Sequence, residues 1–324
     1  MFEVRILGTG SYAPDNVVKN KDISKLVDTN DEWIVERTGI RERRVSTGEE
    51  TSMLSVEAAR RAIKDAGISP EDIELIIVAT ATPDNFIPST ACMVQKELEA
   101  KNATCFDVSA ACTGFIYAVS IATQFIKTGQ IKTALVIGAE TLSKILNWED
   151  RNTCILFGDG AGAAVLQRSD KQGIISLYTG SDGTGGEHLV LPAVQLNNPY
   201  CKSNNDTKNF VSMNGREIFK FATKIVIKCI EEVLKDTPYT LEDIKYIIPH
   251  QANAKIIEFV AKKLKVDNSK FYINLDRYGN TSGASIPIAL DEVNKKGLLS
   301  SGDKIILVGF GGGLTFGAQL IEWS

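Results

Sequence analysis

"SPEDIELIIVAT" (residues 69–80) and "TLEDIKYIIPHQ" (residues 240–251) share one pattern and the letters EDI and II, and their reading decides how the chain is built. Within each, an unbroken aliphatic run reads as a strand buried on both faces. A helical segment precedes each copy. A helix follows, ACMVQKELEAK (91–101) or AKIIEFVAKKLK (254–265), and then an expected strand, ATCFDVSAA (103–111) or SKFYINL (269–275). Each half closes with a further helix and a further strand, KTALVIGAE (132–140) or DKIILVGF (303–310). Such alternation predicts an α/β fold with largely parallel, buried strands. Its recurrence predicts a duplicated unit, with halves at residues 1–170 and 171–324.

Composition narrows the function classes. The 324 residues are 44% hydrophobic and 23% charged, which fits a globular protein of about two domain-sized units. A net charge of −4 argues against a surface that binds nucleic acid as a whole. No apolar run is long enough to span a bilayer, so no membrane partner is expected, and the opening MFEVRILGTGSYAP lacks the apolar block of a signal peptide. Six cysteines (92, 105, 112, 154, 201 and 229) show neither a CxxC pair nor metal-like spacing. They read as reduced thiols in the cytoplasm, with no metal site.

One of them, Cys112, sits in FDVSAACTGFIYAVSIATQFIKTG (106–129), where a short strand passes through small residues into a helix. Phe115, Ile116, Val119, Ala122 and Ile126 recur with helical spacing, and Gly129 supplies a stop. Unpaired N–H groups and the dipole at a helix start favour thiolate over thiol. Read by itself, the stretch favours a small buried hydrophobe. The repeat changes those odds. His250 follows the strand of the second copy, and Asn280, in YGNTSGASIPIAL, is roughly the second-half counterpart of Cys112. All three lie beyond the carboxyl ends of strands, where α/β sheets bind ligands. The other histidine, His188, lies in the loop-like DGTGGEHLVLP.

Two glycine clusters read differently. GFGGGLTFG (309–317) follows a strand and lets a backbone N–H approach a reacting oxygen, as an oxyanion hole requires; a tight turn between buried strands is the alternative. GDGAGAAVL (158–166) lacks the GxGxxG spacing and is flanked by strand-like residues on both sides, so it reads as structural. NDEWIVERTGIRERR (30–44) carries Trp33 among arginines and glutamates. That mixture favours a solvated face, although an indole beside arginines also suits a nucleotide.

Taken together, DVSAACTGFIYA, PHQAN, GNTSGAS, DEWIVERTGIRER and GFGGGLTFG closely resemble β-ketoacyl-acyl-carrier-protein synthase III, a condensing-enzyme family of the thiolase superfamily that starts bacterial fatty-acid synthesis. The likeness spans essentially the whole chain. It implies the thiolase-like fold, two related halves with mixed sheets layered between helices, assembled as a homodimer. It implies that Cys112 accepts an acyl group from acyl-CoA, that His250 and Asn280 bind the thioester carbonyl of malonyl-ACP during decarboxylation, and that the resulting carbanion attacks acyl-Cys112. The oxyanion hole is then formed by the N–H groups of Cys112 and Gly312. Trp33 and Arg151 correspond to the pair that sandwiches adenine, with Thr29 and Arg37 near the nucleotide end of CoA. Lys220 and Lys255 correspond to basic positions that dock the carrier protein. The acyl-CoA is substrate, and no cofactor is implied. The Cys-His-Asn set also separates this family from elongating synthases, which carry a second histidine, and from thiolases, which use a second cysteine.

Two positions depart from the family pattern. Arg216 stands where a small polar residue is common near pantetheine. Ile87 stands where acetyl-selective relatives commonly carry an aromatic that crosses the dimer interface into the partner's acyl pocket, so a pocket for longer or branched primers is expected. Three rival readings remain. A papain-like protease shares the order Cys, His, Asn but carries a CGSCW-type signature absent here. A non-catalytic carrier-binding subunit typically loses the nucleophile. A polyketide synthase using the same triad is the third.

Overall fold

The computed structural model describes residues 2–196, 198–201 and 210–324. Its first sheet holds β1 (Glu3–Tyr12), β2 (Leu75–Ala79), β3 (Thr104–Val108), β4 (Thr133–Glu140) and β5 (Gly160–Ser169), in the order β1-β5-β4-β2-β3. The second holds β6 (Ile174–Ser181), β7 (Ile244–Pro249), β8 (Lys304–Gly311) and β9 (Thr315–Glu322), in the order β7-β8-β9-β6. Every residue of β2 and β4 is buried, as their unbroken aliphatic runs require.

Both sheets are mixed, which corrects the expectation of largely parallel strands. Pairings β4/β2, β2/β3 and β7/β8 are parallel. Pairings β1/β5, β4/β5, β8/β9 and β9/β6 are antiparallel. The physical reason is visible at GFGGGLTFG: three residues, Gly312 to Leu314, return the chain from β8 into β9, and so short a link permits only an antiparallel partner. GDGAGAAVL is structural as expected, most of it being β5.

Helices form five layers with the sheets. On the outer face of the first sheet lie α2 (Thr51–Ala66) and α3 (Thr90–Leu98); α5 (Gly215–Leu234) and α6 (Ala254–Leu264) cover the second. Between the sheets run α4 (Gly114–Lys127) and α7 (Ser285–Lys295), which pack on strands of both. A helix so placed must be apolar nearly all round. Accordingly Phe115, Ile116, Val119, Ala122 and Ile126 are all fully buried. Glycines let α7 approach the first sheet: a Cβ on Gly138 would lie 2.2 Å from the Gly283 carbonyl oxygen, and one on Gly162 would lie 2.6 Å from the Ile288 nitrogen.

The segment 269–275, expected as a strand, makes only the isolated bridge Ile247–Phe271. Side chains replace the ladder there. Gln251 donates to the Tyr272 carbonyl (3.1 Å) and accepts from the Asn274 N–H (3.0 Å). All six cysteines are free. Among the described residues no helix is long and apolar enough to cross a membrane, and no acidic, histidine and cysteine cluster could hold a metal ion.

Candidate active site

Two short 3-10 turns build the site, one in each half and each leading into a central helix. Ala111–Thr113 precedes α4, and Ser282–Ala284 precedes α7. Each opens on a non-glycine residue in the left-handed region, Ala111 at φ 46° and Ser282 at φ 48°. Such backbone is costly for an L side chain and is found where geometry matters more than strain. Aligned on these turns, Cys112 stands opposite Gly283. Asn280 lies three positions earlier, which corrects its assignment as the counterpart.

Cys112, His250 and Asn280 nevertheless line one cavity of about 120 Å³, together with Phe310, Phe219 and Asn253. His250 caps the end of β7, its N–H held by the Val308 carbonyl at 2.8 Å. Its ring meets Phe310 edge-on, 5.3 Å between centroids. Nδ1 lies 2.7 Å from Ser285 Oγ, and that hydroxyl also accepts from the Gln251 N–H at 3.3 Å. With the hydroxyl donating its proton to Nδ1, Nε2 carries the ring proton. Burial lowers the His250 pKa to about 3, so the ring is neutral. Asn280 is oriented in the same way: its Oδ1 accepts from the Ser282 N–H at 2.8 Å, which leaves Nδ2 as the end free for a ligand. The cavity thus presents two neutral donors beside a thiol.

The thiol is not the resting thiolate expected from its place ahead of a helix. Burial pushes Cys112 up to about 12, with Ser282 pulling down and the Glu140 carboxyl pushing further up. A helix N-terminus supplies at most about 2 kcal/mol. That falls short of the roughly 4 kcal/mol separating a thiol at about 12 from one at 9.0.

A second cavity of about 370 Å³ also reaches Cys112, lined by apolar Leu142, Ile145, Leu189, Leu191 and Val211, and by Gly312. The end of β8 presses on Cys112. A Cβ on Gly311 would sit 2.7 Å from the Cys112 nitrogen, so only glycine admits this approach.

Glu140, Ser282 and Ser285 had escaped the sequence reading. Glu140 ends β4 fully buried. Its carboxylate accepts from Thr82 Oγ1 (2.6 Å), the Ala81 N–H (3.1 Å), Ser282 Oγ (3.1 Å) and Thr80 Oγ1 (3.3 Å). Burial nevertheless raises its pKa to about 7. A signal existed, because a glutamate closing an otherwise apolar strand is seldom left unpaired in a core.

The other expected positions lie apart. Trp33 is on α1 (Asp31–Thr38), capped by Asn30. The Arg37 and Arg151 guanidiniums lie 4.7 and 5.0 Å from its ring centroid. An aromatic ring between Trp33 and Arg151 needs about 7 Å, two contact distances, so Arg151 must swing outward to admit one. Thr29 Oγ1 is buried without a partner beside Asp28, whose carbonyl accepts from Arg151 at 2.9 Å. The end of α1 is tied to the cavity that Cys112 lines, since Asn253, which also lines it, donates to the Arg37 carbonyl at 3.0 Å. The solvated-face reading fails for Arg43, which is fully buried and donates to the Val18 and Ile155 carbonyls. Lys220 and Lys255 are exposed, paired with Glu217 (2.7 Å) and Glu258 (3.2 Å). Arg216 begins α5 at the surface, beside cavity-lining Gly215. Ile87 is 90% exposed and lines neither cavity that Cys112 lines. His188 is half-buried, and its carbonyl holds the Asn214 N–H.

Comparison with known proteins shows the family. The family model described as 3-Oxoacyl-[acyl-carrier-protein (ACP)] synthase III matches residues 106–183, and that for its C terminal matches 234–323. The chain is 62% identical to the β-ketoacyl-[acyl-carrier-protein] synthase III of Clostridium novyi (strain NT), over 100% of both chains. Its structure is similar to the crystal structure of 3-oxoacyl-[acyl-carrier-protein] synthase III from Aquifex aeolicus VF5, with TM-score 0.92, 46% identity, and coverage of 99% of this chain and 100% of that one. The priming β-ketosynthase of the R1128 polyketide pathway aligns with TM-score 0.92 at 35% identity, covering 99% and 96%.

Proposed function

Because this chain belongs to the 3-oxoacyl-[acyl-carrier-protein] synthase III family, we propose a division of labour among its residues for that family's reaction. The protein is an acyltransferase that joins a primer to malonyl-ACP by decarboxylative Claisen condensation and so initiates fatty acid synthesis. The polyketide relative is more distant, at 35% identity against 62%.

In the first half-reaction the Cys112 sulfur attacks the thioester carbonyl of acyl-CoA, and the Cys112 and Gly312 N–H groups receive the oxyanion. In the second, His250 Nε2–H and the Asn280 amide hold the thioester oxygen of malonyl-ACP as carbon dioxide leaves. The carbanion then attacks acyl-Cys112, and the β-ketoacyl-ACP departs. One observation carries this reading: a neutral imidazole and an amide, each anchored at its far end, share a cavity with the thiol. Charge that develops on a carbonyl oxygen needs such preorganised donors rather than a strong base.

The second, apolar cavity at Cys112 takes the primer's acyl chain. Ile87 of a second copy closes that cavity and leaves room for primers longer than acetyl, or branched. Support for a homodimer comes from β3, an edge strand with one unpaired side, and from the exposed Phe86, Ile87, Val194, Leu196 and Tyr200. Trp33, Arg151, Thr29 and Arg37 bind the nucleotide end of CoA, and Lys220 and Lys255 dock the acidic carrier protein. The enzyme works in the cytoplasm without a cofactor, built from halves at 1–170 and 171–324. Intact-protein mass spectrometry with acetyl-, isobutyryl- and hexanoyl-CoA, followed by malonyl-ACP, tests the whole sequence. An acyl adduct that forms on the native chain, is absent in Cys112→Ser and is discharged by malonyl-ACP supports it. Labelling elsewhere, or strict acetyl preference, removes the nucleophile or the pocket assignment respectively.

A further inference from the structure

Asn280 can offer its amide to a ligand only while its backbone is held. Its side chain is anchored at one end by the Ser282 N–H. Its backbone is held on both sides by one segment of the first half. The Asn280 N–H donates to the Leu156 carbonyl at 2.8 Å, and its carbonyl accepts from the Gly158 N–H at 3.0 Å. Phe157 and Asn280 form an isolated parallel bridge there. A lone bridge has no ladder to stiffen it, so whatever fixes residues 155–158 also fixes Asn280.

Behind that segment lies the short antiparallel pair Val17–Lys19 and Glu42–Arg44. The Arg44 carbonyl accepts from the Asp159 N–H at 2.8 Å. Arg43 reaches further in. One terminal nitrogen of its guanidinium donates to the Ile155 carbonyl at 2.7 Å, and the other donates to the Val18 carbonyl at 3.1 Å. Its stem passes two glycines: a Cβ on Gly158 would lie 3.1 Å from the Arg43 Cβ, and one on Gly279 would lie 3.2 Å from it. Gly279 directly precedes Asn280, and Gly158 bonds it. Arg43 is fully buried; among the described residues its hydrogen bonds go to these two carbonyls, and Nε has no partner. Enclosing a guanidinium without a carboxylate to pair it is costly. What it supplies, and an aliphatic side chain does not, is a rigid fork spanning two carbonyls.

We propose that Arg43 is a positioning residue for the decarboxylation half-reaction: it ties residues 155–158 to the Val17–Lys19 strand and thereby holds Asn280 where its amide meets the thioester oxygen of malonyl-ACP. This rests on the donor role given to Asn280 above. Arg43 lines neither cavity that Cys112 lines, so it acts through the segment and not on the substrate. Cys112 stands on a separate turn, Ala111–Thr113, and acyl transfer to it should be spared.

The test uses the full chain in two separate assays: carbon dioxide release from labelled malonyl-ACP without primer, and acyl transfer from isobutyryl-CoA without malonyl-ACP. Arg43→Met keeps an unbranched stem and deletes the fork. A misplacement of about 1 Å costs about 100-fold in rate, so kcat for decarboxylation should fall about 10- to 100-fold. KM for malonyl-ACP and the acylation rate should change little. Arg43→Lys cannot brace both carbonyls, and the one it leaves unpaired should lower decarboxylation at least about 5-fold. The deciding readout is the combination with Asn280→Ala, to which either Arg43 substitution should add no further loss, because the group it positions is gone. A role in folding alone would slow both half-reactions and would persist in the double variant. Melting temperatures identify the variants that fold; if Arg43→Met does not, Arg43→Lys decides by the same cycle. Native decarboxylation in a folded Arg43 variant, or a loss that multiplies with that of Asn280→Ala, overturns the proposal. Native decarboxylation in Asn280→Ala itself would instead overturn the donor role of Asn280, so the two failures are distinct.

Discussion

Ser285 is the residue through which the fold sets the histidine, and its removal gives a sharp prediction. Its hydroxyl lies 2.7 Å from His250 Nδ1 in a site where both residues are buried. Ser285→Ala deletes that partner and leaves Nδ1 unsatisfied, a loss of about 1–3 kcal/mol. If the loss falls on the decarboxylation transition state, the rate drops roughly 5- to 150-fold. The ceiling is set by removal of an oxyanion donor outright, about 10²–10³-fold, so Ser285→Ala should lie at or below His250→Ala. The assay is carbon dioxide release from labelled malonyl-ACP in the absence of primer, with acyl transfer to Cys112 followed in parallel. Decarboxylation should fall at least 5-fold while acylation changes by less than about 2-fold, and Ser285→Thr, which keeps the hydroxyl, should recover most of the rate. A folded Ser285→Ala protein that releases carbon dioxide at the native rate would refute the orienting role.

Other consequences follow from the same geometry. Trp33→Ala and Arg151→Ala each remove a face of the proposed adenine site, so KM for acyl-CoA should rise about 2- to 30-fold at the cost of one cation–π contact, with kcat nearly unchanged. Lys220→Glu and Lys255→Glu should weaken malonyl-ACP binding, most strongly at low salt, and leave acylation by acyl-CoA intact; steady-state kinetics with both substrates separates the effects. The folded ring of His250 stays neutral down to pH about 3, whereas the unfolded ring takes a proton near 6.5. Stability should therefore decline as pH falls from 6.5 toward 3. Melting temperatures of the native chain and of His250→Asn, compared between pH 7 and 4, should show the smaller acid loss in the variant.

Local chemistry made much of this protein legible. The aliphatic runs of β2, β4, β7 and β8 have lengths and compositions that only buried strands satisfy, and they fall where the repeat places them. The stripe from Phe115 to Ile126 and the stop at Gly129 identified α4. The expected helix Phe221–Lys235 begins six residues earlier, at Gly215, because Asn214 caps it and accepts from the Glu217 N–H. The failure at 269–275 was of another kind. Its residues have strand character, but Gln251 satisfies their backbone from a neighbouring loop, an arrangement local propensity does not encode.

Cys112, His250 and Asn280 stood out because each is a polar or nucleophilic group at the end of a strand or the start of a helix. What such a reading lacked was protonation state and support. A helix start argued for thiolate, yet enclosure between two sheets removes the solvent that would stabilise the anion. Ser282, Ser285 and Glu140 are ordinary letters whose importance comes from distance alone: 142 positions separate Glu140 from Ser282, and 35 separate His250 from Ser285. The amino-acid sequence by itself determined the α/β plan and the polar side chains that meet in the cavity, because periodicity and residue type are local properties. Only the tertiary structure decided which hydroxyl orients the histidine, which carboxylate lies behind the thiol and how strongly burial holds its proton, because hydrogen bonding and desolvation depend on what the folded chain brings into contact.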